Sequence, residues 1–480
     1  MNRKNIVYIA LIGLSVMLFV RESTAQNEVD TLRYSTMYHG GTARFIGVGG
    51  AFSALGSDIS SANQNPAGLG LYRSSDINFT TTFDNTKTTT NYLGQSNFDH
   101  SYSIEASSVG MAFSLPNTQN YGSGKGTLNT VIAINFSQVN NYNSNLYALG
   151  RNNNNSYLTN LSDYYNQNPS YLDLFWDAGI LYEDNGTVVN DFDVSGEYQI
   201  KQQFEHRQRG TLNDLNFSIG VNESNKLYYG LSVGLVSLYH TEDWVLQEND
   251  DKEVTQYLNA YNYNNYFVRS GMGVNFKAGI MYQLNSRIKT SFAIHTPTFM
   301  TIDEDWDEKL HTSFDSSQFD SKLASYFTTT YNLVTPTRFL VGASFLINRM
   351  IILGIDYETS AYNTMRLDSE TYSFSEENSR IKNDFTFRHA VRIGSEVKLG
   401  ALALRVGGFY YTTPFKSAGT DNAVLGLSGG FGFRSGNFYT DLAYQNTMSS
   451  SFYRIDGTDA MSVEVDQTKH RFYLTFGLRF

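Results

Sequence analysis

Arg388-His389-Ala390-Val391-Arg392-Ile393-Gly394-Ser395-Glu396-Val397-Lys398 alternates without a break. Val391, Ile393 and Val397 share one face with His389 and Ser395, while Arg388, Arg392, Glu396 and Lys398 fall on the other with Ala390 and Gly394. Successive side chains of a β-strand point to opposite faces, so this segment reads as a strand with one mostly apolar side and one charged side. A helix has no use for a period of two. The same alternation ends the sequence, with Phe472, Leu474, Phe476, Leu478 and Phe480 against Arg471, Tyr473, Thr475, Gly477 and Arg479. It recurs where Ile351, Leu353, Ile355 and Tyr357 oppose Gly354, Asp356 and Glu358.

Working outward from these three stretches, fourteen such segments are found, near 77–87, 103–114, 127–139, 208–221, 227–244, 268–284, 288–301, 331–347, 350–362, 385–397, 401–413, 423–433, 438–446 and 470–480. Tight turns rich in Asn, Gly and Ser join some of them, at 222–226, 285–287, 348–349, 398–400 and 434–437. Long polar excursions join others, at 140–207, 245–267, 302–330, 363–384 and 447–469. An even strand number with short turns on one side and long loops on the other is the pattern of an outer-membrane barrel. A closed sheet also satisfies every backbone group in lipid. The expectation is an all-β fold, a 14-stranded antiparallel transmembrane β-barrel over 76–480, with the long excursions as extracellular loops.

Composition agrees. The 480 residues include 34 Tyr, 33 Phe and 3 Trp but only 17% charged residues, an aromatic-rich and charge-poor balance. A net charge of −11 argues against a nucleic-acid binder, which carries a basic stripe. The absence of cysteine excludes disulfide frameworks, thiol catalysis and Cys-ligated metals. At the N-terminus Arg3 and Lys4 precede an apolar run, Ile6–Val20, and then Ser23-Thr24-Ala25, the form of a signal peptide spanning 1–25. The run is too short to cross a bilayer as a helix. The destination this implies is the bacterial cell outer membrane.

If the apolar ladders face lipid, the lumen receives Arg338, Asp356, Glu358, Arg388, Arg392, Glu396 and Arg405, together with Lys277, Lys289, Asp441, Arg471 and Arg479. Mixed signs at these positions favour cross-strand ion pairs over ligand contacts. Fourteen strands enclose more space than side chains alone fill, so the lumen is either plugged or open.

Residues 26–75 precede the first strand and are not barrel-like. Gly40-Gly41-Thr42-Ala43-Arg44-Phe45-Ile46-Gly47-Val48-Gly49-Gly50-Ala51-Phe52 is dense in glycine, and Ser57 or Asp58 suits the start of a short helix ending near Asn63. Asn65-Pro66-Ala67-Gly68 follows, where proline ends the helix and turns the chain. No GxxxxGK[ST] is present, so the glycines are not a nucleotide loop. This arrangement resembles the N-terminal hatch of the FadL-type outer-membrane transport family. The resemblance covers essentially the whole sequence after the leader and is strongest at 40–72. It implies a hatch-plugged fourteen-stranded barrel that takes up fatty-acid-like or aromatic small molecules by passive diffusion. It also implies lateral release beside a kinked third strand, yet Leu128–Phe136 contains no Gly or Pro to mark a kink.

Ligand-binding surface is expected to be apolar and drawn from hatch and loop, with Tyr34, Met37, Tyr38 and Phe45 on one side and Leu172, Phe175 and Trp176 on the other. The last three sit at helix-like spacing after Pro169. The Asn65–Ala67 turn is either a rigid seat or a relay that passes ligand-driven movement of the segment before Gly40 to an exit. No GxSxG, HExxH or EF-hand occurs and the eight histidines show no metal spacing, so no catalytic residue, metal or cofactor is assigned and the protein is not read as an enzyme. Asp303–Asp307 and Glu248–Asp251 read as solvated acidic loop runs. The expected partners are a hydrophobic small molecule, outer-membrane lipid and, through Phe480, the outer-membrane assembly machinery. Competing roles are a docking barrel for a secretion or surface complex, and haem uptake through His39 or His206.

Overall fold

The computed structural model describes residues 28–38, 40–121, 124–167, 174–316, 321–417, 422–457 and 461–480. The expected leader, His39 and Leu172 lie outside them. Fourteen antiparallel strands form the wall: β1 Asp76–Tyr92, β2 Gln95–Pro116, β3 Thr127–Asn141, β4 Ile200–Glu223, β5 Leu227–Asn249 and β6 Leu258–Gln283, followed by β7 in two pieces, Ile288–His295 and Phe299–Phe314. β8 likewise has two pieces, Lys322–Val334 and Arg338–Leu346, and then come β9 Ile351–Ala361, β10 Phe387–Leu399, β11 Leu402–Tyr411, β12 Val424–Ser435, β13 Phe438–Arg454 and β14 Ser462–Arg479. β14 pairs with β1 from Asp76↔Arg479 to Asn91↔Glu464, which closes the barrel. Each of the fourteen sequence segments falls on one of these strands.

β7 and β8 are interrupted at the same height by Thr296-Pro297-Thr298 and Thr335-Pro336-Thr337. Proline brings no N–H to a ladder, so each strand bends there. Thr298 N donates to Thr335 Oγ1 at 2.8 Å and Thr335 N to Thr298 O at 3.1 Å, which holds the two breaks together.

The strands are longer than their apolar alternation suggested. Most of 245–267, 302–330 and 447–469 is strand rather than loop. The acidic run Asp303–Asp307 is therefore part of β7, where Glu304 is buried inside while Asp303 faces out. The physical reason is visible along β5. Leu231, Val233 and Leu235 point outward and are exposed, while Ser232 and Gly234 point into the lumen. Further along the same strand Trp244 and Leu246 are the buried inner residues and Asp243 and Gln247 the outer ones. The parity is unbroken and the polarity inverts. Beyond the apolar belt the outside is water, so the inner face carries the core.

That core is the largest apolar cluster of the molecule. Tyr92, Phe204, Trp244, Tyr261, Tyr263 and Leu310 from the wall enclose Leu158, Tyr165, Phe175, Ile180 and Phe192 from the 153–199 excursion. Each fully buried side chain of this size contributes about 1.5–3 kcal/mol. The excursion is thereby folded down as a cap on the loop end of the barrel. Its main helix runs Tyr157–Gln167, with short further helices at Leu174–Asp177, which ends before Gly179 with its φ of +72°, and at Asp191–Ser195.

Candidate functional site

The site is built from the segment between α1, Glu28–Ser35, and β1. Thr42 caps α2, Ala43–Gly47, by accepting from Phe45 N at 3.2 Å. The Thr42 hydroxyl in turn donates to Asp58 at 2.9 Å. α3, Ser61–Gln64, follows, and a 3-10 turn, Pro66–Leu71, begins where the Asn65 side chain accepts from Ala67 N at 3.1 Å. Asn65 Nδ2 also donates to Ser53 O at 2.9 Å, tying the two hatch turns together.

Two rows of wall glycines seat these turns. Gly220, Gly230 and Gly279 are register neighbours on β4, β5 and β6, and the Asn65–Leu69 turn occupies the space their Cβ atoms would fill. Gly354, Gly394 and Gly407 are neighbours on β9, β10 and β11, and Val48–Ala51 lies against them in the same way. Backbone meets backbone at both seats, which only glycine permits. The Asn65–Ala67 turn has wall on one side and hatch on the other.

Charge holds the hatch as well. Arg44 Nε donates to Glu396 at 2.9 Å, and Arg405 donates to Glu396 at 2.8 Å and to Asp441 at 2.5 Å. Asp356 accepts from Phe52 N at 2.8 Å, Ser53 N at 2.9 Å and Ser53 Oγ at 2.5 Å. Glu358 takes Arg392 at 2.5 Å and Arg338 at 2.9 Å. Arg388 has an aromatic rather than an acidic setting, with its guanidinium 4.9 Å from the Tyr411 ring centre and 5.6 Å from that of Tyr38. Arg44, which pairs hatch to wall, was not singled out from the sequence. A lone arginine in an apolar glycine-rich stretch was the available signal.

α2 and the turn after it separate two cavities. On the loop side is one of about 130 Å³, with Tyr38, Phe45, Phe409 and Tyr411 as its aromatic lining and Asp84 and Lys469 among its polar groups. On the turn side is one of about 190 Å³, touched by Arg44, Val48 and Phe52 of the hatch. Phe45, Ile46, Gly49 and Gly50 face the first and Arg44, Val48 and Phe52 the second, so consecutive residues of one short segment form both surfaces.

The expected ligand residues divide between levels. Tyr38 and Phe45 meet in the loop-side cavity. Tyr34 is buried just outside it, its hydroxyl 2.9 Å from His240 Nδ1, with Met37 packed on the same cluster. Phe175 and Trp176 belong to the cap, where Phe175 lies 4.7 Å from the Tyr263 ring. They line neither cavity, because the apolar face of the excursion is consumed by the core beneath it. Phe409 and Tyr411 were not named from the sequence, although they share inward parity with Arg405 on β11. His206 is buried with Nε2 2.5 Å from Glu242 and its ring against Phe204 and Tyr453. α1 is fixed above the cavity by Arg33 on Glu242 at 3.2 Å and Arg269 on Asp30 at 3.4 Å.

The wall beside this cavity is incomplete. The β2–β3 ladder runs from Pro116↔Asn129 only to Ser108↔Ser137. Beyond it β3 bulges at Gln138–Asn140 and turns to the hatch, with Val139 O accepting from Tyr38 N at 2.8 Å and Thr36 O from Asn140 Nδ2 at 2.9 Å. Side chains bridge the seam instead: Glu105 accepts from Gln138, from Asn141 at 2.9 Å and from Asn143 at 2.7 Å. The irregularity of β3 at Gln138–Asn140 is a bulge, just beyond the Leu128–Phe136 stretch that lacks Gly and Pro.

Neither a protein-family model nor a curated protein matches the sequence. Among solved structures the chain is similar to the Pseudomonas putida toluene transporter TodX, with a TM-score of 0.57 and 10% identity over 92% of this chain and 99% of that one. A Pseudomonas aeruginosa FadL homologue gives 0.55 and 11% over the same shares. The Ralstonia pickettii toluene transporter TbuX gives 0.52 and 14%, again over 92% and 99%. The fold is that of the FadL-type barrels.

Proposed function

We propose that a barrel of the FadL-type fold serves here as an outer-membrane channel, not an enzyme, passing small hydrophobic molecules from the loop end to the turn end by passive diffusion, with the hatch as the gate. The observation that carries this is the partition: one short segment, 43–52, stands between a cavity on each side of it. The loop-side cavity, about 130 Å³ and partly aromatic, is close in size to cavities that hold a single ring. The toluene transporters TodX and TbuX, similar in fold, support a ligand of that kind. In this reading Asn65-Pro66-Ala67-Gly68 is the fixed seat and the 43–55 segment the part that yields. The buried ion pairs of Glu396 and the hydrogen bonds that Asp356 accepts from Phe52 and Ser53 set the closed position.

The chain has no cysteine, so a cross-link tests the gate directly. Ser53 Oγ of the hatch and Ser291 Oγ of β7 lie 2.9 Å apart. Uptake of a toluene-sized tracer by cells expressing Ser53→Cys/Ser291→Cys should fall at least about tenfold when oxidised and return on reduction. Uptake insensitive to oxidation, at equal surface abundance, removes the hatch from the path. A second route is favoured by one observation, that Ser107, Gln138 and Asn141 of the β2–β3 seam also line the loop-side cavity. Ligand leaving there would bypass the cross-link, so the same experiment separates the two exits.

A further inference from the structure

We infer that the loop-end edge of β8 takes an extended cationic segment of a partner polypeptide as one more antiparallel strand. Within the apolar belt β8 is paired on both sides, by β7 at Ile288–His295 and by β9. Above the break at Thr335-Pro336-Thr337 it keeps β7 on one side, while on the other the ladder covers only Asn332–Val334, which pair with Arg366–Asp368. Those three pairs show that the edge accepts a strand. The chain leaves it at Ser369, whose Oγ donates to Thr330 O at 3.1 Å. Leu323, Phe327 and Thr329, on the inner face above, are only half-buried, whereas Trp244 and Leu246 of β5, flanked by strands on both sides, are buried.

Two bonds fix the direction of the backbone groups. Thr330 O points to the open side, to Ser369, whereas Ser321 O points to β7, where it accepts from Thr312 N at 3.1 Å. These groups alternate along a strand, so Lys322, Ala324, Tyr326 and Thr328 present N–H and C=O to the open side over about 20 Å. Among the described residues no strand pairs with them there. The usual blunting of an exposed edge is missing: the stretch has no proline and no bulge, its one charge, Lys322, sits at the tip, and Tyr326–Tyr331 are all aromatic or β-branched.

The outer face beside this edge is acidic. Asp303, Asp305 and Asp307 of β7 stand opposite Thr330, Thr328 and Tyr326. Asp303 accepts from Thr330 Oγ1 at 2.7 Å and Asp305 from Tyr326 Oη at 3.0 Å, and among the described residues none of the three carboxylates has an ion-pair partner. Alternate lysines on an added strand meet this row and the Tyr326 ring, which is 62% exposed. A second copy in the same membrane is the wrong occupant. Its β8 descends towards the bilayer in the same direction, so two such edges meet parallel, and each brings its own acidic row.

The test is binding of a labelled peptide of about ten residues, alternating Lys with Thr, to the detergent-purified full chain, read by fluorescence anisotropy. It should bind at least about tenfold more tightly than the same peptide with Glu for Lys. N-methylation of every second peptide nitrogen should abolish binding in one phase and spare it in the other, because only one set of N–H groups faces β8. Thr328→Pro, which removes an N–H from the open side and none from the β7 ladder, should lower the affinity at least about tenfold. Asp305→Asn with Asp307→Asn should erase the margin of Lys over Glu. Heat-modifiable mobility reports that each barrel is folded, and the N-methylated peptides test the edge on the unaltered chain. Equal binding of the Lys and Glu peptides (including none by either), indifference to the N-methyl phase, or unchanged affinity in Thr328→Pro overturns the docking edge. A dimer in light scattering that Thr328→Pro dissolves assigns the edge to a second copy and overturns the partner.

Discussion

Two stretches of β5 a dozen residues apart obey opposite rules. At Leu231–Leu235 the apolar side chains are outside and the small ones, Ser232 and Gly234, inside, while over Asp243–Gln247 the large apolar Trp244 and Leu246 are inside and Asp243, Val245 and Gln247 outside. Backbone, parity and neighbours' register continue unchanged from one to the other. What changes is the solvent on the outer face, lipid in the first case and water in the second. The lower barrel is therefore held by its surroundings and by polar contacts across the lumen, and the upper one by a core like that of a soluble protein. The loop-side cavity lies where the two regimes meet, roofed by the apolar cluster around α1 and walled by the ion pairs below.

The comparison is tested most severely on the inner face. Trp244→Ala should cost about 3–5 kcal/mol in the cap, read as faster hydrogen exchange across 153–199, since it opens a cavity in a packed core. Ser232→Ala, on the same face within the belt, removes only its hydrogen bonds with Ser218 Oγ and Asn216 Oδ1 and should cost about 1–1.5 kcal/mol of barrel stability. Comparable losses at both positions would show that the inner face has one character throughout.

On the outer face the order reverses. Val233→Arg should destabilise the bilayer-embedded barrel by about 2–4 kcal/mol in urea titration, because it places a charge in hydrocarbon. Val245→Arg, of the same parity on the same strand, should stay within about 0.5 kcal/mol. Equal costs would move the edge of the lipid belt above residue 245.

The smallest effect concerns pH. Glu248 is buried at the start of the cap helix Tyr157–Gln167, accepting from Tyr157 N at 2.9 Å, Ser156 Oγ at 2.5 Å and Gln202 Nε2 at 2.6 Å. Burial pushes its carboxyl above the usual glutamate range, with these hydrogen bonds opposing the shift. A raised value in the docked state means that docking takes up a proton. The cap is therefore held best below the ordinary glutamate pKa and loosens as pH rises through the raised one. Proteolysis within 153–167 should be slower at pH 5 than at pH 7.5, by less than about 1.4 kcal/mol per pH unit, and Glu248→Gln should remove the difference. A pH dependence that persists in Glu248→Gln would place the titrating group elsewhere.

Much of the architecture was legible because alternation is local. The strands 388–398 and 472–480, the inward placement of Arg392, Glu396 and Arg405, and the turn at Asn65-Pro66 all follow from neighbours in sequence. The loop-side ends of β6 and β7, and β5 beyond Trp244, were not legible as strand. Their apolar residues, such as Leu246, Tyr261 and Trp306, are spaced correctly, but they alternate with a polar outer face that reads as loop when only a lipid-facing ladder is sought. The wall glycines were visible one by one. That Gly220, Gly230 and Gly279 form a single seat depends on register across three strands.

By itself the sequence determined the strand faces, their number and the existence of a glycine-rich segment ahead of them, since side-chain parity and turn preference need no distant partner. The tertiary structure decided which of those residues form a site. Arg44 meets Glu396 across 352 residues, Ser53 meets Asp356 across 303, and the cap takes Phe175 and Trp176 away from the cavity where apolar character alone had placed them. Closing a barrel makes every strand a neighbour of the lumen, so what fills that space is settled by contacts for which sequence separation carries no information.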